Sequence, residues 1–254
     1  MSDITLGIIG GGQLGSMLAI AAKKLNIKSV VFCDDSDAPA QNFCNKFIFG
    51  DYNNKEKIME FINHVNIVTF EFENIPFETL DEINRLKPVL PKPSINRLIQ
   101  HRLAEKDFIN KLNIRTTRYV SIEKKSDIES LEDFLPGILK TTTLGYDGKG
   151  QYPINSIDDL NLLNIDFSKG YILEKLVRLK KEISIIITRF QNQKYEIYEP
   201  IENTHHNQIL KHSKIPADID NRIFNLSKDW AISIAEELKY IGTLCVEFFI
   251  DKND

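Results

Sequence analysis

The sequence predicts an α/β protein in which a parallel sheet with right-handed crossovers comes first and an antiparallel region follows. Three observations carry this. Short β-type runs alternate with helical patterns over residues 5–70, as in a parallel sheet. A proline-dense connector, Pro88-Val-Leu-Pro-Lys-Pro-Ser94, then marks a domain boundary. Beyond it, residues 181–188 and 194–201 have the pattern of an antiparallel hairpin.

Length and charge narrow the function classes. At 254 residues the chain can hold two or three units with cores of their own. Its 42% hydrophobic and 27% charged residues are ordinary for a soluble protein. A net charge of −4 leaves no basic excess to neutralise phosphates, which argues against nucleic-acid partners. Cys33, Cys44 and Cys245 are scattered, without CxxC spacing, and read as reduced thiols. The start has no basic segment leading into a long apolar one, and no apolar run reaches membrane-spanning length. The expected compartment is the cytoplasm, with no membrane partner.

The first strand, residues 5–9, empties into Gly10-Gly-Gly-Gln-Leu-Gly15. Leu14, Met17, Leu18, Ala21, Ala22 and Leu25 follow at helical spacing on one face. A second strand, 29–33, ends in Asp34-Asp35; Ile58, Met59 and Ile62 mark a helix, and 67–70 a buried third strand. A GxGxxG run after a strand, with an acid some twenty residues on, fits the dinucleotide fingerprint. Asp34 or Asp35 would be its ribose partner, so an NAD-dependent dehydrogenase competes at this point. A loop and helix N-terminus holding some other phosphate, or simply turning, is the plainer alternative. In Thr69-Phe-Glu-Phe-Glu-Asn-Ile-Pro76, Glu71 and Glu73 sit two apart at a strand end, on one face and on the rim of the glycine loop. Two solvated carboxylates are equally compatible.

Past the connector, Ser94 opens a long helical pattern to about Leu112, with Leu98, Leu103, Phe108 and Leu112 inward and Arg102 and Lys106 four apart on one face. Residues 117–120 begin another β region, and Ile128, Leu131 and Phe134 mark a short helix. The next stretch is Lys140-Thr-Thr-Thr-Leu-Gly-Tyr-Asp-Gly-Lys-Gly-Gln151. Its glycines let backbone N–H groups turn toward an anion, and Lys140 and Lys149 supply point charges for a polyphosphate. A hairpin turn with a solvated lysine is the bland alternative. A polar connector leads to Tyr171-Ile-Leu-Glu-Lys-Leu-Val177, a strand whose end could form an adenine slot from backbone groups, a carboxylate and apolar side chains. Glu182 opens the first hairpin strand, and Glu202-Asn-Thr-His-His206 closes the second. His205, His206 and His212 lack the ligand spacing of a zinc site. Ile223, Leu226, Trp230, Ile234 and Leu238 predict an amphipathic helix closed by Gly242. The last strand, 243–250, buries Glu247 among apolar residues; a buried carboxylate needs a cation or donor, which makes Glu247 a metal-ligand candidate. A strand with one wet face is the alternative.

Taken together, GGGQLG, EFENIP, the PKPS…QHRLAEK helix, KTTTLGYDGKGQ, EKLV, KEIS, ENTHH and VEFF resemble, in order and along the whole chain, the N5-carboxyaminoimidazole ribonucleotide synthetases, ATP-grasp ligases of purine biosynthesis. EFEN followed by GYDGKGQ is the specific part; GGGQLG alone is not. The resemblance implies a Rossmann-like pre-ATP-grasp domain (residues 1–93), an ATP-grasp small subdomain with a glycine-rich lid (94–172) and a large subdomain (173–254) that stops short of the family's C-terminal part. It implies carboxylation of 5-aminoimidazole ribonucleotide by bicarbonate at the expense of ATP, through carboxyphosphate, in the de novo route to IMP. ATP and Mg²⁺ are the implied cofactors, with Mn²⁺ as an alternative ion, and a homodimer is the implied full-length state.

Residue by residue, Arg102, Lys140, Gly145, Tyr146, Asp147, Gly148, Lys149, Gly150, Gln151, Glu174, Lys175, Leu176, Val177, Glu182 and His205 match the family's ATP site. Lys140, Asp147 and Lys149 match its catalytic positions. Gly12, Gln13, Leu14, Glu73, Tyr146, Asp147 and Lys149 match positions facing the ribonucleotide, and Glu247 a magnesium-binding carboxylate. The dinucleotide reading recedes accordingly. His101 stands where the family usually has Asp, and Leu144 replaces a frequent glycine. The family's second magnesium-binding acid, which follows the VEFF strand, has no counterpart before Asp254. A non-catalytic nucleotide-binding fragment is therefore the alternative function.

Overall fold

The computed structural model describes residues 4–143, 150–163, 165–206 and 209–252. The chain forms two units, residues 1–99 and 100–254. The split falls after the first helix beyond the proline connector rather than at the connector itself.

In the first unit, β1 (Thr5–Ile9), α1 (Gln13–Lys24), β2 (Lys28–Cys33), β3 (Lys46–Phe49), α2 (Lys55–Ile62), β4 (Ile67–Phe70), α3 (Phe77–Asn84) and α4 (Pro93–Ile99) follow in order. The strands make a parallel sheet of order β3-β2-β1-β4. Both faces of such a sheet are covered, so its strands read as continuous apolar runs. Side-chain alternation splits them: Ile8, Val31 and Cys33 pack with Ala19, Ala38 and Ala40, while Ile9, Val30 and Phe32 pack with Phe61, Leu80 and Ile83. Fully burying Phe32 or Phe61 contributes roughly 1.5–3 kcal/mol each. Asn54 caps α2 by accepting from the N–H groups of Glu56 and Lys57.

The expected apolar stripe on α1 is not the face it buries. Leu14, Met17 and Leu25 are more than half exposed, and Gly15, Ser16, Ala19 and Ala22 turn inward. Small residues let this helix lie close against the sheet, and the large ones have no room there.

The second unit begins with α5 (Arg102–Lys111), so the long helix expected from Ser94 breaks at Gln100-His101. His101 caps α5, its Nδ1 accepting from Ala104 N–H at 3.3 Å. That is the task an aspartate performs at such a position. The expected inward residues of α5 are only partly buried. Next come β5 (Tyr119–Ile122), β6 (Gly137–Thr141), β7 (Gln151–Ile154), α6 (Ile157–Leu162) and β8 (Tyr171–Lys175). The expected helix around Ile128 is a pair of 3₁₀ turns, and the polar connector after Gln151 holds β7 and α6. The four strands pair antiparallel in the order β5-β8-β6-β7 over Ile122, Leu131, Leu139, Leu160 and Leu173.

A second antiparallel sheet contains β9 (Leu179–Arg189), β10 (Tyr195–Ile197), β11 (Ile201–His206) and β12 (Ile209–Lys214). Helix α7 (Asn221–Glu237) follows, and β13 (Gly242–Asp251) pairs along the whole free side of β9. Residues 202–206 form β11, a strand paired with both β9 and β12, and not merely the end of a hairpin. Ile183, Ile185 and Ile187 point to the α7 side, where Ala231, Ile234 and Ala235 are buried. Gly242 does not close α7: the left-handed residue after the helix is Lys239, and Gly242 opens β13.

Candidate functional site

In the first unit, β2 lies on one side of β1 and β4 on the other, so the glycine loop after β1 stands at a topological switch point. Gly10 has φ +97°, a conformation that side chains resist. A Cβ on Gly15 would stand 2.5 Å from the Gly10 carbonyl oxygen, so only glycine lets α1 start this close to β1. Gly12 is the N-cap, and Gln13 and Leu14 are exposed in the first turn. Strand β4 ends at Phe70, so Glu71 and Glu73 do not share a strand face as expected. Glu71 folds back on the loop and accepts from Gly12 N–H at 3.0 Å; Glu73 is exposed in the turn that follows. Burial pushes the Glu71 carboxyl up, with the Gly12 amide opposing.

In the second unit, β6 carries Lys140 and β8, beside it, carries Glu174. Lys140 Nζ lies 2.8 Å from one oxygen of the buried Glu174 carboxylate, and Lys106 Nζ, from α5, lies 3.3 Å from the other. Burial alone would raise this carboxyl, but Lys140 and Lys106 outweigh it and hold it below its ordinary value. At Lys106 the balance reverses: burial pushes the ammonium down, and half a share of one carboxylate only partly offsets it. The same ammonium lies 5.4 Å from the centre of the Tyr119 ring. Arg102, one turn earlier on α5, donates from Nε to the Thr141 carbonyl at 3.1 Å, while its own N–H donates to Thr142 O. Gln151 sits opposite Lys140 in the β6–β7 pair, and Gly150 joins it to the loop with φ +69°.

The Glu174 carboxylate is thus engaged by two lysines and does not stand open to a base. Of its neighbours in the expected adenine slot, Lys175 turns away to the Asp133 carbonyl at 2.6 Å. Leu176 is half exposed, its N–H donating to Pro136 O, and Val177 is partly buried. Gly145, Tyr146, Asp147, Gly148 and Lys149 lie outside the described residues.

The second sheet of this unit has one face under α7 and a polar face opposite. On it Glu182 meets His205, with Oε2 2.6 Å from Nδ1. Asn203 donates to Ser184 Oγ at 2.5 Å and accepts from Ser213 Oγ at 2.9 Å. Glu247 stands opposite Ser184 in the β13–β9 register. It is exposed, not buried as expected: β13 alternates, sending Leu244, Val246 and Phe248 inward and Thr243, Cys245, Glu247 and Phe249 outward. Among the described residues no group of three or more His, Cys, Asp or Glu side chains is arranged for a metal ion. One solvated carboxylate beside a Ser–Asn pair fits only an ion that brings most of its oxygens with it, as Mg²⁺ bound to a nucleotide does.

The arrangement therefore collects two lysines and a carboxylate at the base of a glycine-rich loop, with a Glu–His pair on a separate polar face. Lys106 and Glu71 are the members that the motifs left unassigned. The four-residue step from Arg102 was the signal for Lys106; Glu71 had only its proximity to Glu73. No described helix is long and apolar enough to cross a membrane.

Comparison with known proteins gives a consistent result. The family model described as ribonucleotide synthetase preATP-grasp domain matches residues 3–100, and that described as ATP-grasp domain matches 107–254. The chain is 34% identical over 253 residues to the N5-carboxyaminoimidazole ribonucleotide synthase of Staphylococcus aureus (strain COL), covering 98% of the chain and 67% of that protein. It is 34% identical over 257 residues to the bifunctional purine synthesis protein purC/E of Dictyostelium discoideum, where the match covers 98% of the chain but only 26% of the larger protein. The crystal structure of the Staphylococcus aureus N5-carboxyaminoimidazole synthetase complexed with ADP superposes with a TM-score of 0.91 at 34% identity, over 98% of this chain and 67% of that one.

Proposed function

Because the chain belongs to the N5-carboxyaminoimidazole ribonucleotide synthetase family of ATP-grasp ligases, we propose that it serves the ATP-dependent carboxylation of 5-aminoimidazole ribonucleotide. ATP transfers its γ-phosphoryl group to a bicarbonate oxygen, releasing ADP and leaving carboxyphosphate. The exocyclic amine of the ribonucleotide then bonds to the carboxyl carbon, phosphate departs, and the amine gives up a proton.

The convergence of Lys140 and Lys106 on Glu174 carries this reading. Transfer between two oxygen anions needs positioning and charge neutralisation more than a side-chain nucleophile. Two ammonium groups held together by one carboxylate are preorganised for that, and Arg102 fixes the strand from which Lys140 projects. Glu182 would accept from the nucleotide's ribose hydroxyls, with His205 orienting it. Glu247 would hold Mg²⁺, which supplies charge neutralisation between the phosphates. Gln13, Leu14 and Glu73, with Tyr146, Asp147 and Lys149, would face the ribonucleotide.

A phosphate-release assay tests the proposal. With ATP, bicarbonate and 5-aminoimidazole ribonucleotide, release should depend on the ribonucleotide and should be lost in Lys140→Met. Stabilisation by ATP without turnover would reduce the chain to a nucleotide-binding module. Stabilisation by NAD and not by ATP would instead support the dehydrogenase.

A further inference from the structure

The glycine loop of the first unit has the spacing of a phosphate cradle, and the structure shows what already lies in it. Gly12 begins α1, and the N-terminus of a helix carries partial positive charge. Glu71 Oε1 accepts from Gly12 N–H at 3.0 Å. The same oxygen lies 2.7 Å from where a Cβ on Gly10 would stand and 3.3 Å from that of Gly12, and Glu71 Cγ lies 3.5 Å from that of Gly15. The side chain therefore runs along all three glycines of the G-x-G-x-x-G pattern. In a dinucleotide-binding loop this close backbone approach is kept for the pyrophosphate.

We propose that Glu71 is a specificity-determining residue: its carboxylate is a built-in anion that takes the pyrophosphate's place, so the loop rejects dinucleotides and offers Gln13 and Leu14 to a ligand. The backbone supports the placement, since Glu71 N–H donates to Ile9 O at 3.1 Å and so fixes the residue beside the end of β1. A phosphate entering the same space would meet a like charge as well as filled volume. The inference uses only residues 5–71 and is independent of the reaction assigned to the second unit.

The experiment is a titration of the full chain, labelled with ¹⁵N-glycine, with inorganic pyrophosphate, following the Gly12 amide resonance. The wild-type resonance should stay in place. In Glu71→Ala it should shift, with an apparent affinity at least about tenfold tighter. A wild-type Gly12 amide that moves with pyrophosphate, or a folded Glu71→Ala that gains no binding, overturns the proposal. Should Glu71→Ala not fold, acid titration decides. The wild-type Gly12 amide should follow the protonation of one carboxyl and lose that dependence in Glu71→Gln. A Gly12 amide indifferent to pH in the wild type would sink the idea.

Discussion

At the scale of single residues, Glu174 carries the largest electrostatic stake. Its carboxylate is buried, and it is shared by two ammonium groups that are themselves mostly withdrawn from water. Removing one member of such a cluster leaves the others charged and unpaired. Glu174→Gln should therefore destabilise the second unit by about 3–5 kcal/mol, read from urea denaturation. The pH dependence follows from the direction of the shift. Because the folded-state carboxyl lies below its ordinary 4.5, the unfolded chain binds more protons in the window beneath that value. The stabilisation is thus complete above about 4.5 and is lost as pH falls through the folded-state value. Glu174→Gln should lack this acid limb. Lys106→Met tests the ligand side: the affinity for Mg·ATP should fall at least tenfold, about 1.4 kcal/mol, in a calorimetric titration. An unchanged affinity would make Lys106 a structural partner of Glu174 only.

Helix α1 sets the lesson at the scale of elements. Its apolar residues have helical periodicity, yet Leu14, Met17 and Leu25 are those left in solvent. Periodicity identifies a helix, but the side that packs is chosen by how near the partner lies. Here the partner is a sheet that begins just behind Gly15, and the seat admits only Ser16, Ala19 and Ala22. Two substitutions separate these views. Ala19→Leu should cost about 1–3 kcal/mol by overpacking, whereas Met17→Ala should change stability by less than about 0.5 kcal/mol. Chemical denaturation of both variants measures the difference. Strand β13 repeats the point: its alternation was visible in the sequence, but its full-length pairing with β9 decides that Glu247 points to the polar face.

For the whole molecule, the division into residues 1–99 and 100–254 gives each part its own sheet and core. Two-state unfolding is not expected of such a chain. Scanning calorimetry should resolve two transitions, and saturating Mg·ATP should raise only the one that belongs to residues 100–254, since a ligand stabilises the unit it binds. Movement of both transitions would place part of the nucleotide site in the first unit.

The sequence by itself determined the order of the principal strands and helices, the glycine turns at Gly10 and Gly150, and the set of motifs that names the family. These are local properties: backbone conformation, side-chain period and the identity of a few chemically committed residues. Short strands such as β3, β7 and β12 escaped because their mixed patterns acquire meaning only when neighbours pair with them. The tertiary structure alone decided that Lys106 joins Lys140 on Glu174, that Glu182 meets His205 and that Glu71 lies along the glycine loop. Each of these contacts joins residues distant in the chain, and spacing along a sequence records no such distance.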